Sequence, residues 1–159
     1  MRIKAEPLTA AAFAPFGDVL DASGQPDRFI NEGRCGRYHD RAHLDFGPGG
    51  RAGISIFRSE PRPLPHVLEL VERHPDGSQA FLPLDRYGFL VTVARDENGR
   101  PGGPLAFVTA PGQGVNFHRG TWHGVLAPLR GNGLFAVVDR IGDTRNLEEF
   151  RLERTLTVY

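Results

Sequence analysis

Glycine and proline punctuate most of this sequence, which implies many turns between short elements. Its 159 residues include twenty glycines and thirteen prolines, without a collagen-like period. Proline removes a backbone donor and glycine weakens helix and strand interiors alike, so ordered elements must be short and joined by many turns. The apolar segments between the breaks fit strands. Residues 53–57, 79–84, 87–94, 105–110, 134–139 and 155–159 are brief, rich in branched or aromatic side chains, and bounded by Gly, Pro or charge. Segment 66–74 fits two periods: Val67, Leu68 and Val71 mark a helical stripe, whereas alternation puts Leu68, Leu70, Glu72 and His74 on one strand face. It is short and stops at Pro75, which favours the strand.

One helix is expected over residues 10–16, capped by Thr9 and ended by Gly17, and a second over 147–150 after the turn formers Gly142 and Asp143. Residues 95–104 are expected to form a mobile surface hairpin. The fold class is therefore all-β: one domain over residues 1–159, with strands closed into a barrel or two packed sheets that hide their edges, and one or two short helices.

Charge and cysteine usage narrow the function. Nineteen basic residues balance nineteen acidic ones, which leaves no basic field for nucleic acid or membrane surfaces. Cys35 is alone, so no intrachain disulfide can form and a reducing, cytoplasmic setting is expected. The apolar stretch near the start is broken by Pro15 and too short for a signal peptide, and no run approaches the ~20 residues that span a bilayer.

The chemistry-bearing residues fall in two clusters. On a strand, Glu72 and His74 point the same way, and a carboxylate and an imidazole on an inward face are costly unless paired or bound to something. A turn follows, and Gln79 opens the next strand. In the run GVNFHRGTWHG, His118 and His123 flank a tight turn at Gly120. Imidazole and oxygen ligands converging from separate strands suit a divalent transition metal with open positions. His39, His43 and His66 lack such company and read as surface or hydrogen-bonded structural residues.

These clusters resemble the two motifs of the cupin superfamily, with Glu72-x-His74-x4-Gln79-x6-Arg86 at the first and Gly112-x5-His118-x-Gly120-x2-His123 at the second. Glu72 stands where the first motif has its first His, Gln79 replaces its Glu, and His118 replaces a Pro of the second. Those departures make the likeness specific. The stretches ERHPDGSQAFLPL and GVNFHRGTWHGVL, with LTAAAFAPFGDVL, GRYHD, SIFRSEP and VVDRIGD, are similar to the ureidoglycolate lyase family over most of the chain.

The resemblance implies a cupin-like double-stranded β-helix (jelly-roll barrel), a homodimer, a divalent metal such as nickel, and a carbon–nitrogen lyase that splits (S)-ureidoglycolate into glyoxylate and urea during allantoin breakdown. Glu72, His74, Gln79 and His123 then form the metal set, and His118 is the proton-transfer group. Arg37, Arg119 and Arg140 are candidate forks for the substrate carboxylate, and Tyr38 and Asn116 candidate partners of the ureido group. Trp122 is expected to pack against the barrel, and Asp139 with Arg140 to form an ion pair at its mouth. Two alternatives stay open: an amidohydrolase releasing ammonia from the same substrate, and a non-catalytic cupin that binds a small acid.

Overall fold

Strands fall into two large sheets that curl against each other. The computed structural model describes residues 1–159. One sheet has five strands, all antiparallel, in the order Gly17–Leu20, Gly114–Phe117, Gln79–Pro83, Leu134–Ile141 and Arg51–Arg58. The other runs Arg2–Ile3, Glu148–Val158, His66–Arg73, Trp122–Gly124, Phe89–Ala94, Leu105–Val108 and Glu6–Pro7, with Ala127–Pro128 also paired to Phe89–Ala94. Its two short N-terminal strands lie parallel to their partners. The architecture is a cupin-like all-β barrel.

Alternation along the strands builds the core. Phe81, Val115, Phe117, Phe135 and Val137 from the first sheet meet Phe89, Val91, Val93 and Phe107 from the second, and Phe13 and Phe16 plug one side. Burying each such side chain contributes about 1.5–3 kcal/mol, and edge-on ring pairs such as Phe89 with Phe135, 5.0 Å apart, add to it. A second core lies on the outer face of the larger sheet, where Leu68, Val71, Leu90, Ala94, Trp122, Leu156 and Val158 are covered by Ile3, Ala5 and Phe150. Strand Phe89–Ala94 is therefore buried on both faces. Trp122 packs as expected, its indole N–H donating to Asp96 at 2.9 Å.

Every strand expected from the sequence is present, with ends shifted by a few residues except that 155–159 closes a longer strand starting at Glu148, and segment 66–74 is a strand over His66–Arg73. The N-terminal helix spans Ala10–Phe13, with the Thr9 hydroxyl accepting from the Ala12 N–H at 3.2 Å, a cap of the kind that contributes about 1 kcal/mol. Gly17 opens a strand instead, because a Cβ there would collide with the Asn116 carbonyl across the ladder. The second expected helix, over 147–150, is not formed. Those residues belong to the strand Glu148–Val158, where Glu148 lies opposite Arg73 and accepts from it. Cross-strand pairing overrides the local preference. Residues 95–104 form the two-stranded hairpin Asp96–Glu97 with Arg100–Pro101.

Candidate active site in the barrel interior

Strand register assembles the site. His123 lies opposite both Glu72 and Val93, so it shares the inner face with the core. Gln79 lies opposite Phe117 and Asp139 on the other sheet. The Phe117 ring stacks on the His123 ring, centroids 4.2 Å apart at 6°, and so joins the two groups. One ligand atom each from Glu72, His74 and His123 falls within 4.8 Å of the others.

Backbone carbonyls set the state of both imidazoles. Nδ1 of His74 lies 2.7 Å from the Asn146 oxygen, and Nδ1 of His123 lies 3.0 Å from the Gly124 oxygen. A carbonyl only accepts, so each Nδ1 carries the hydrogen and each Nε2 keeps a free lone pair. Both Nε2 atoms are buried and have no partner. Burial pushes His123 down to about 3, with the neighbouring His74 acting in the same direction. Burial raises the Glu72 carboxyl, opposed by His74 and reinforced by the Glu149 charge.

Two buried lone pairs beside a desolvated carboxylate cost about 1–3 kcal/mol each if left empty-handed, and a divalent cation answers all three at once. The donor set therefore fits a metal. Asn146 completes it from outside: its carbonyl orients His74 while its side-chain oxygen accepts from the Asp76 N–H at 2.7 Å. Gln79 is buried beside this group, its Nε2 donating to Asp139 Oδ2 at 3.1 Å and its Oε1 without a partner.

The remaining candidates lie elsewhere. Asn116 is fully buried on the face away from the core, opposite Ala80. Its NH2 donates to Asp18 Oδ2 at 2.9 Å and to the His43 carbonyl at 3.0 Å, and its Oδ1 has no partner. Nε2 of His118 reaches the same Asp18 oxygen at 3.0 Å. The turn carrying His118 is nevertheless tied to the metal-site strand, because the Gly120 N–H donates to the His74 carbonyl at 2.9 Å. Arg119 forms a two-pronged pair with Asp45, whose carboxyl it holds below the usual range. Arg140 donates to the Pro48 carbonyl at 3.2 Å. It makes no pair with Asp139, since neighbours on a strand point to opposite faces and Asp139 turns inward to Gln79. Arg37 is exposed on the small hairpin Arg28–Ile30 with Cys35–Arg37, and the Tyr38 hydroxyl donates to the Gly24 carbonyl.

Asp18 and Asn146 were not singled out in the sequence, and Asp139 was read there as the ion-pair partner of Arg140; each is defined only by pairing with residues tens of positions away. For Asp18, burial acts to raise the carboxyl, but donation from Asn116, the His43 N–H and His118 outweighs it and holds the group below its ordinary value. A carboxyl lowered on folding adds stability above its unfolded value of about 3.9 and loses it as pH falls through the folded value. Asp18→Asn is expected to flatten the acid side of the stability curve below about pH 4, read as denaturant midpoints against pH. A slope identical to the parent's would remove Asp18 from the acid response.

The ureidoglycolate lyase family model matches residues 1–159. The chain is 62% identical to a ureidoglycolate lyase of Rhodobacter capsulatus over 157 residues, covering 99% of this chain and 98% of the relative. It is 54% identical to one of Chelativorans sp. over 150 residues, 94% and 91% of the two chains. For one of Mesorhizobium japonicum the identity is 52% over 159 residues, 99% and 98%. A matching family model along the whole length, relatives covered almost end to end, and a cupin-like barrel with its polar cluster inside lead to one statement: the chain belongs to the ureidoglycolate lyase family.

Proposed function

We propose that the chain is a carbon–nitrogen lyase that cleaves (S)-ureidoglycolate to glyoxylate and urea in allantoin breakdown, as a single catalytic domain over residues 1–159. The observation that carries the assignment to this site is the convergence of Glu72, His74 and His123 within 4.8 Å, with both Nε2 atoms buried and free. These three residues would hold a divalent metal, nickel among the candidates. Such an ion, when bound, supplies Lewis acidity toward the hydroxyl and carboxylate oxygens of the substrate.

The reaction removes the hydroxyl proton, forms the carbonyl of glyoxylate, breaks the carbon–nitrogen bond and returns a proton to the departing urea nitrogen. We assign that proton traffic to His118. It stands outside the three-residue cluster, on the turn that the Gly120 N–H ties to the His74 carbonyl, so the assignment requires a substrate that reaches from the cluster to that turn. The His118 Nε2–H donates to Asp18, which fixes the ring and leaves Nδ1 as the proton acceptor. Gln79 is better suited to the substrate than to the metal, since an amide is a weak ligand and a good partner for urea-like groups. Incubating purified protein with ureidoglycolate and assaying urea, ammonia and glyoxylate tests the whole assignment. Ammonia in place of urea would make the chain an amidohydrolase, and binding without turnover would make it a small-acid-binding cupin.

A homodimer is proposed as well, in the cytoplasm. Ile54 and Ile56 are 75% and 63% exposed on the outer face of the five-stranded sheet, with Leu82 and Leu44 close to the same surface. Contiguous apolar surface of this kind marks an interface, and twofold pairs are the commonest closed assembly. No helix is long and apolar enough to cross a membrane. Ile54→Glu is expected to convert a dimer into a monomer in light scattering at micromolar concentration; a monomeric parent would end this proposal.

A further inference from the structure

We infer that Asp139 is a positioning residue that turns the Gln79 carboxamide so that its oxygen accepts from the terminal amide N–H of a ureido substrate. The inference rests on the cleavage proposed above and names a determinant of its specificity. Gln79 and Asp139 are directly paired across neighbouring strands, and Gln79 Nε2 donates to Asp139 Oδ2 at 3.1 Å. An ionised carboxylate has no hydrogen to give, so only the NH2 end of the amide can face it. The oxygen end is thereby committed to the other direction.

That oxygen is buried and has no partner. Gln79 is 6% exposed and lies opposite Phe117, whose ring stacks on His123, so the free acceptor belongs to the same inner layer as Glu72, His74 and His123. A buried acceptor waiting in a polar interior selects a neutral N–H donor and rejects an acceptor such as a second carboxylate. The terminal NH2 of a ureido group has that character, and it takes no part in the bond that breaks. Its loss should therefore weaken binding in ground and transition states alike.

The experiment uses the full chain with its metal and follows urea release from ureidoglycolate. Asp139→Asn lets position 139 donate as well as accept, so the Gln79 amide is no longer held in one orientation. KM is expected to rise about tenfold or more with kcat within a few fold of the parent. Combining Gln79→Glu with Asp139→Asn swaps donor and acceptor, again fixes an oxygen facing inward, and is expected to bring KM back to within about threefold of the parent.

Bound metal, by elemental analysis, and melting temperature are measured on each variant. An unchanged KM for Asp139→Asn in a urea-releasing parent overturns the inference alone. Loss of metal in that variant overturns it too, by making Gln79 a ligand. A raised KM that the double variant fails to reverse, with parent-like melting, also overturns it. A parent that releases no urea overturns the cleavage, and the inference with it.

Discussion

His74→Ala is expected to abolish metal binding by the proposed site in the barrel interior and to lower kcat/KM by about three decades, the scale of losing several kcal/mol of Lewis-acid stabilisation. The expectation follows from the paired imidazoles, whose Nε2 atoms are buried and unpartnered beside Glu72. Removing one leaves a single imidazole and a carboxylate, too few protein ligands to hold a transition metal firmly. His123→Ala should act in the same direction and also loosen Phe117, which stacks on that ring. Elemental analysis of parent and variants purified without added metal checks both. A parent that is metal-free, keeps full activity in chelator and gains none from nickel or manganese would make Glu72, His74 and His123 substrate contacts instead.

The second large effect is expected at His118. His118→Asn should reduce turnover by roughly two to four decades, the usual worth of a general acid or base, with circular dichroism and metal content unchanged. Asparagine is too short to replace the Nε2 donor, but Asp18 keeps its bonds from Asn116 and the His43 N–H. The turn keeps its bond from the backbone N–H of residue 118 to the Phe16 carbonyl, so the wall around the strand Gly17–Leu20 is held while proton transfer is lost. Placement of Asn116 and His118 around Asp18, away from the core, makes this the sharper of the two tests. Turnover within a few fold of the parent would reduce the ring to a pin between the loop at His43 and the barrel wall.

Glycine and proline spacing made most strands legible, and the likeness to the two motifs joined Glu72, His74, Gln79 and His123, of which Glu72, His74 and His123 converge. Residues 147–150 were misread because nothing local reveals that Glu148 will face Arg73, seventy-five positions earlier. The same limit hid Asp18, which meets His118 one hundred positions away, and the partner of Asp139, which is Gln79 across the ladder. The arginines were ambiguous for a different reason: a guanidinium fork fits an internal carboxylate as well as a substrate. Arg119 pairs with Asp45, whereas Arg140 gives one N–H to the Pro48 carbonyl and keeps Nε and Nη1 buried without a partner.

The parallel pairing of Arg2–Ile3 with Thr157 and Val158 carries a consequence for how the molecule comes into being. A chain emerging from the ribosome exposes its first strand long before the residues that will flank it exist. Until then, Leu156 and Val158 cannot close over Leu68, and the apolar outer face of the larger sheet stays open. Closure of that face therefore waits until residues 156–158 have been synthesised, and it depends on contacts between segments far apart in sequence. During that interval a nascent copy is most exposed to aggregation and to chaperones.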